Sequence, residues 1–172
     1  MNKETEIKLK YKNKNQIINI IKKLGAKFNE KYELHDTYFS FHKDMSNKHE
    51  IVRIREKGNS SELTFKGKCK SKGNVWKRVE LTCKIDNPQI MCEILVNLGL
   101  SRIKENMSLR EIYLLNGIEI AFIDFTKPSK LSLIEIEGSQ DKIKRIINKL
   151  GKSVKEVGEE AFRKFDKVAP VV

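Results

Sequence analysis

The stretch "ETEIKLK", Glu4 to Lys10, splits by parity. Glu4, Glu6, Lys8 and Lys10 fall on one face of a strand, and Thr5, Ile7 and Leu9 fall on the other. One face is therefore apolar, and the other carries two acids and two bases. In an isolated surface strand those charges would simply meet water. The remaining strands decide where they point.

The same parity recurs along the chain. Arg53 and Arg55 oppose Val52 and Ile54. Thr64, Lys66 and Lys68 oppose Leu63 and Phe65. Arg78, Glu80 and Thr82 oppose Val79 and Leu81. Arg110 shares a face with Ile112, opposite Tyr113, and Asp124 shares one with Phe122. Glu135 and Glu137 oppose Ile134 and Ile136. These runs lie in segments with strand character: "DTYFSF", "IVRIRE", "ELTFKGK", "KRVELTCKI", "SLREIYLL", "EIAFIDF" and "LSLIEIEG".

Amphipathic helices punctuate them. "NKNQIINIIKKLGAKF" reads as a helix capped by Asn13 or Asn15 and stopped by Gly25. A second runs from Pro88 to Leu98, capped by Asp86 or Asn87 and followed by Gly99. A third is "QDKIKRIINKL", between Ser139 and Gly151. The spacing predicts a last helix over "VKEVGEEAFRKFDK", opened by a capping box from Ser153 to Glu156. Loops are expected at "HKDMSNKHE", "KGNSS" and "CKSKGN". The fold class is α+β, an antiparallel sheet with helices packed outside. If the helices cover the apolar faces of a curled sheet, the charged faces line an internal wet bore. Surface salt bridges on an open sheet are the alternative that parity leaves standing. A bore with both charge signs suits a polyanion with a divalent cation. Bases take phosphate oxygens, and carboxylates take Mg2+ or Mn2+.

The composition fits this picture. The 172 residues suit one domain spanning 1–172; 39% are hydrophobic, 34% are charged and only three are proline, which excludes a disordered chain. The net charge of +12 points to an anionic partner. No apolar run is long enough to span a membrane, and "MNKETEIKLK" has no secretory leader pattern. Cys69, Cys83 and Cys92 lack zinc spacing, so reduced thiols in a cytoplasmic protein are expected. His35, His42 and His49 form no triad pattern. No nucleic-acid motif is evident. A homodimer is left open.

The signature Glu-x-Glu-x-Lys in "ETEIKLK", followed in order by "HDTYFS", "VRIRE", "LTFKGK", "RVELT", "REIYLLNGIEIAFIDF" and "LIEIEG", resembles the CYTH, or triphosphate tunnel metalloenzyme, superfamily. The blocks cover about Glu4 to Gly138, and the length is similar to small CyaB-like members. The resemblance implies an eight-stranded antiparallel β-barrel, a tunnel that binds triphosphate. It implies a metal set of Glu4, Glu6, Asp124, Glu135 and Glu137 holding Mg2+ or Mn2+. It implies phosphate binding by Lys8, Arg53, Arg55, Lys66, Lys68, Arg78 and Arg110. Glu80 either joins the metal set or holds a base in place; with Lys8 and Arg110 it is a candidate for catalytic work. The implied activity is hydrolysis of tripolyphosphate, a nucleoside triphosphate or thiamine triphosphate. Adenylate cyclase, making cyclic AMP and pyrophosphate, is the alternative, and a polyphosphate- or nucleotide-binding module without turnover is a third. Three departures stand out. Ser108 replaces the first base of a Lys-x-Arg pair, "TKPSKLS" replaces a Gly-Leu-Gly turn, and "EEAFRKF" stands where a Ser-Tyr motif is expected.

Overall fold

The computed structural model describes residues 3–42, 49–68, 70–72 and 75–156, with backbone alone at 3, 4, 70–72, 75–77 and 156. Ten strands and three helices follow in the order β1 (Lys3–Tyr11), α1 (Lys14–Lys23), β2 (Lys27–Ser40), β3 (Ile51–Lys57), β4 (Ser60–Lys66), β5 (Lys70–Lys72), β6 (Val75–Ile85), α2 (Pro88–Asn97), β7 (Ser101–Leu115), β8 (Ile118–Lys127), β9 (Leu131–Glu137), α3 (Gln140–Leu150) and β10 (Val154–Glu156). Every pairing is antiparallel. The ladder runs β1–β9–β8–β7–β2–β3–β4–β6, and β6 pairs back onto β1. Eight strands thus form the antiparallel ring, with β5 and β10 as short additions to β6 and β1.

The helices set which side of the wall is outside. Asn13 caps α1 by accepting from the Gln16 N–H at 3.1 Å, and Asn87 caps α2 from the Ile90 N–H at 2.9 Å. Gly25, with φ of 96°, ends the first helix in a conformation that side-chain-bearing residues rarely adopt. α1 turns Ile17 and Ile21 inward, and α3 turns Ile143, Ile146 and Leu150 inward. All five join Ile7, Leu9, Ile120, Phe122, Ile134 and Ile136 of the wall in the largest core. α2 covers a second cluster of Phe39, Ile54, Leu95 and Leu100. The apolar faces of the strands therefore look outward, into the helices, and the opposite faces look into the bore.

Four segments differ from the sequence expectation. β2 begins at Lys27 and β7 at Ser101, both well ahead of the expected "DTYFSF" and "SLREIYLL". These early halves lack a clean apolar alternation, and they form strand because each pairs antiparallel with the late half of the other, from Lys27 with Leu114 to Ser40 with Ser101. Lys70–Lys72, expected as loop, pairs with Val75–Lys77. Val154–Glu156, expected to open a helix, pairs instead with Leu9–Tyr11. The remainder of that expected helix, with "EEAFRKF", lies outside the described residues. No helix among the described residues is long and apolar enough to cross a membrane.

Candidate functional site

The bore is built from alternate residues of the ring. On β1 and β9, Lys8 stands directly opposite Glu135, and Glu6 opposite Glu137. The Lys8 ammonium lies 2.8 Å from Glu135 Oε2 and also donates to Glu6 Oε1. Arg110 Nη1 donates to Glu135 Oε1 at 3.3 Å. Burial disfavours both charges, but the partners win. Lys8 is held above the usual lysine range by Glu135 and Glu6, and Glu135 far below the usual carboxylate range by Lys8 and Arg110.

Across the bore, β2 and β3 supply a second pair. Arg55 makes a two-pronged contact with Asp36, Nε to Oδ1 at 2.7 Å and Nη2 to Oδ2 at 2.8 Å. Burial would raise the Asp36 carboxyl, but Arg55 pulls it down to about 2. The sign for stability follows. A carboxylate depressed from 3.8 to about 2 stabilises the fold above its unfolded value, and that stabilisation is lost as pH falls from about 4 towards 2. The contribution is about 2 kcal/mol. Urea titrations of the parent and Asp36→Asn between pH 2 and 5 check it: the parent should show the extra acid-side loss, and the variant should lack it.

A third cluster sits on β4 and β6. Lys66 donates to both Glu80 oxygens, and Arg78 Nε donates to Oε1 at 2.7 Å. Burial opposes the Glu80 charge, yet Lys66 and Arg78 bring its carboxyl down to about 2. Lys66 itself is lowered to about 8 by burial and by the neighbouring Arg53 and Arg78, against the pull of Glu80. Arg53 stands apart. Its Nη2 donates to Thr64 Oγ1 at 3.2 Å, while its Nε, like that of Arg110, is buried without a partner. Arg55 also lines a cavity of about 170 Å³ together with Tyr32, Leu34, Lys57, Ser60 and Glu62.

The acids form a pattern of their own. Glu6 opposes Glu137, and Glu137 opposes Glu119, so three carboxylates occupy one cross-strand row. Directly opposed like charges destabilise a sheet. Burial and then Glu135 push the Glu119 carboxyl up. Among the described residues no three His, Cys, Asp or Glu side chains are gathered closely enough to cage a metal, because Glu6 and Glu135 are turned onto Lys8. The donor chemistry of the row still fits a hard divalent cation, with Lys8 supplying positive charge in its place. The backbone of Glu4 pairs with Arg78; its side chain lies outside the described residues.

Two expected site residues are placed elsewhere. Asp124 opposes Ser132, which donates to it at 2.6 Å, and it accepts from Tyr11 at 3.4 Å and Lys14 at 3.5 Å. It shares the outer, helix-facing side with Ile120 and Phe122, whereas Glu135 and Glu137 face the bore. It anchors the start of α1 rather than joining the acid row. Asp124→Asn should therefore keep activity within about threefold and cost about 1 kcal/mol of stability, read by steady-state assay and urea titration. Lys68 lies past the end of β4, 66% exposed and 3.6 Å from Glu50. The bore is also less uniformly charged than parity implies. Ile112, Ala121, Ile123 and Leu133 are bore-facing positions of β7, β8 and β9, and they form a buried apolar cluster.

Sequence reading missed Asp36, Glu119 and Asn106. Each had a parity signal: Asp36 alternates with Tyr38, Glu119 with Ala121 and Ile123, and Asn106 with Ser108 and Arg110.

Comparison with known proteins agrees with this architecture. The model of the CYTH domain family matches residues 2–168. The chain belongs to the CYTH domain family. A relative from Methanocaldococcus jannaschii, named as a candidate adenylate cyclase, is 34% identical over 122 residues, 70% of this chain and 69% of the relative. A solved Pyrococcus horikoshii protein superposes with a TM-score of 0.73 at 24% identity, covering 88% of this chain and 94% of that one. A Hippeastrum protein, described as a candidate adenylyl cyclase with a dominant triphosphatase activity, superposes with a TM-score of 0.71 at 18% identity, covering 94% and 96%. These last two establish the shared fold.

Proposed function

We propose that this CYTH protein is a divalent-metal-dependent hydrolase of a linear triphosphate held inside the ring. The observation that carries the reading is the pair of buried, partnerless Nε atoms on Arg53 and Arg110, two guanidiniums set in the bore wall. Buried donors without acceptors are costly, and phosphate oxygens are the acceptors that fit a guanidinium fork. Glu6, Glu119, Glu135 and Glu137, with Glu4 beside them in sequence, would hold Mg2+ or Mn2+. The ion, when bound, neutralises phosphate charge and polarises the oxygen bonded to it.

The protein groups divide the remaining work. Arg55 is fixed by Asp36 and so presents a preset cation. Lys66 and Arg78 are both held by Glu80 and so present preset donors to a phosphate oxygen. Lys8 can exchange Glu6 and Glu135 for phosphate. Arg53 and Arg110 then stabilise the charge that grows as the terminal phosphoryl group departs. Free thiols at Cys83 and Cys92 accord with a cytoplasmic location.

Adenylate cyclase is the second reading, favoured by the name of the Methanocaldococcus jannaschii relative. Products separate the two. Incubation with Mn2+ and ATP or tripolyphosphate should release orthophosphate and stop in excess EDTA. Cyclic AMP with pyrophosphate would assign the cyclase. Binding without turnover would assign a binding module, and full turnover in EDTA would remove the metal from the account.

A further inference from the structure

One buried acceptor atom on the bore wall has the wrong polarity for a phosphate ligand. Asn106 is 5% exposed, and it stands opposite Asp36 on the inner side of β7. Its Oδ1 atom is buried without a hydrogen-bond partner. Its neighbours along that face are Lys104 and Ser108, both also buried, and Arg110 follows. The orphan groups of Arg53 and Arg110 are donors, and phosphate oxygens satisfy donors. The orphan group of Asn106 is an acceptor, and an ionised phosphate chain carries acceptors only. A buried acceptor calls for an O–H or N–H. Asn106 and Ser108 also leave an uncharged interval between Lys104 and Arg110, suited to the part of a ligand with the least negative charge.

We infer that Asn106 reads a hydrogen-bond donor on an organic group esterified to the triphosphate, so that the ligand is an ester such as a nucleoside triphosphate rather than inorganic tripolyphosphate. The inference rests on the triphosphate reading above and adds the substrate class to it. A site built to hydrogen-bond a ligand O–H or N–H discriminates strongly against an analogue that lacks one, because its own polar atom is then left buried and unpaired. The donor is either a sugar hydroxyl or a base amine.

Calorimetric titration of the full chain with ATP and with tripolyphosphate, each with Mn2+, tests the inference without requiring turnover. The parent should bind ATP at least fivefold more tightly than tripolyphosphate. Asn106→Leu should reduce that ratio at least fivefold, and Asn106→Ala, which adds no bulk, should do the same if the leucine variant fails to fold. 2′,3′-Dideoxy-ATP keeps the base amine and lacks both sugar hydroxyls. Weaker binding of it by the parent assigns the hydroxyl, and unchanged binding assigns the amine. A parent ratio below fivefold, or a ratio that both folded variants leave within fivefold of the parent, overturns the inference. Selective binding without product would overturn the hydrolase reading alone, whereas binding of neither compound would overturn both.

Discussion

Arg53→Ala is expected to weaken tripolyphosphate binding by about ten- to a hundredfold while leaving the melting temperature of the free protein unchanged or higher. The loss follows from removing one charge-assisted contact, about 1.5–3 kcal/mol. The gain follows from the surroundings. Among the described residues Arg53 hydrogen-bonds only Thr64, its Nε has no partner, and its charge helps to depress Lys66. Its pull on the Asp36 carboxyl is secondary to that of Arg55, so the free protein gains little from this arginine. Function and stability pull in opposite directions at such a position. Calorimetric titration and a thermal melt of the same preparations read both quantities. Parental affinity in the variant would mean that Arg53 does not meet the ligand.

Glu135→Gln should behave in the opposite way and lose both. Glu135 is the shared anion of Lys8 and Arg110, on a wall where all three side chains are largely buried. Replacing it with a neutral amide strands Arg110 and leaves Lys8 to Glu6 alone, and breaking a buried pair from one side costs about 3–5 kcal/mol. For a chain of this size that corresponds to a fall of roughly 6–20 °C in melting temperature. Metal-dependent turnover should fall at least a hundredfold, since the same carboxylate belongs to the proposed metal set. Four carboxylates around an empty site would repel one another, and removing one would then stabilise the fold. The ion pairs of Glu135 reverse that expectation here. Glu119, whose carboxyl is pushed up by burial and then by Glu135, is where an unfavourable charge remains, so Glu119→Gln should raise the melting temperature of the free protein slightly. A Glu135→Gln variant as stable as the parent would place its side chain in solvent.

Parity made the wall legible. The alternation of "ETEIKLK" and "LIEIE" contains the ring's central fact, that Ile7, Leu9, Ile134 and Ile136 pack under helices while Glu6, Lys8 and Glu135 face inward. The same rule already placed Asp124 on the face of Phe122. Only the family resemblance moved it into the metal set, and the structure sides with parity. What could not be read were features set by tertiary pairing. The early halves of β2 and β7 carry charges on both faces, and each becomes strand because the late half of the other is its partner. Asp36 looks like any turn-forming aspartate until Arg55 is seen opposite it. Parity puts Asn106 on the face of Ser108 and Arg110, but its unsatisfied amide oxygen is a property of its neighbours and does not show in the sequence.

The central claim is that a triphosphate lies inside the ring, against bases that the fold holds ready for it. A crystal structure of the protein with Mn2+ and a slowly hydrolysed triphosphate analogue tests this most directly. Phosphate oxygens are expected within hydrogen-bond distance of Arg53 Nε and Arg110 Nε, with the cation on the acid row of Glu6, Glu137 and Glu119. A ligand bound on the outer, helix-covered face, or a bore left empty at saturating ligand, would contradict it.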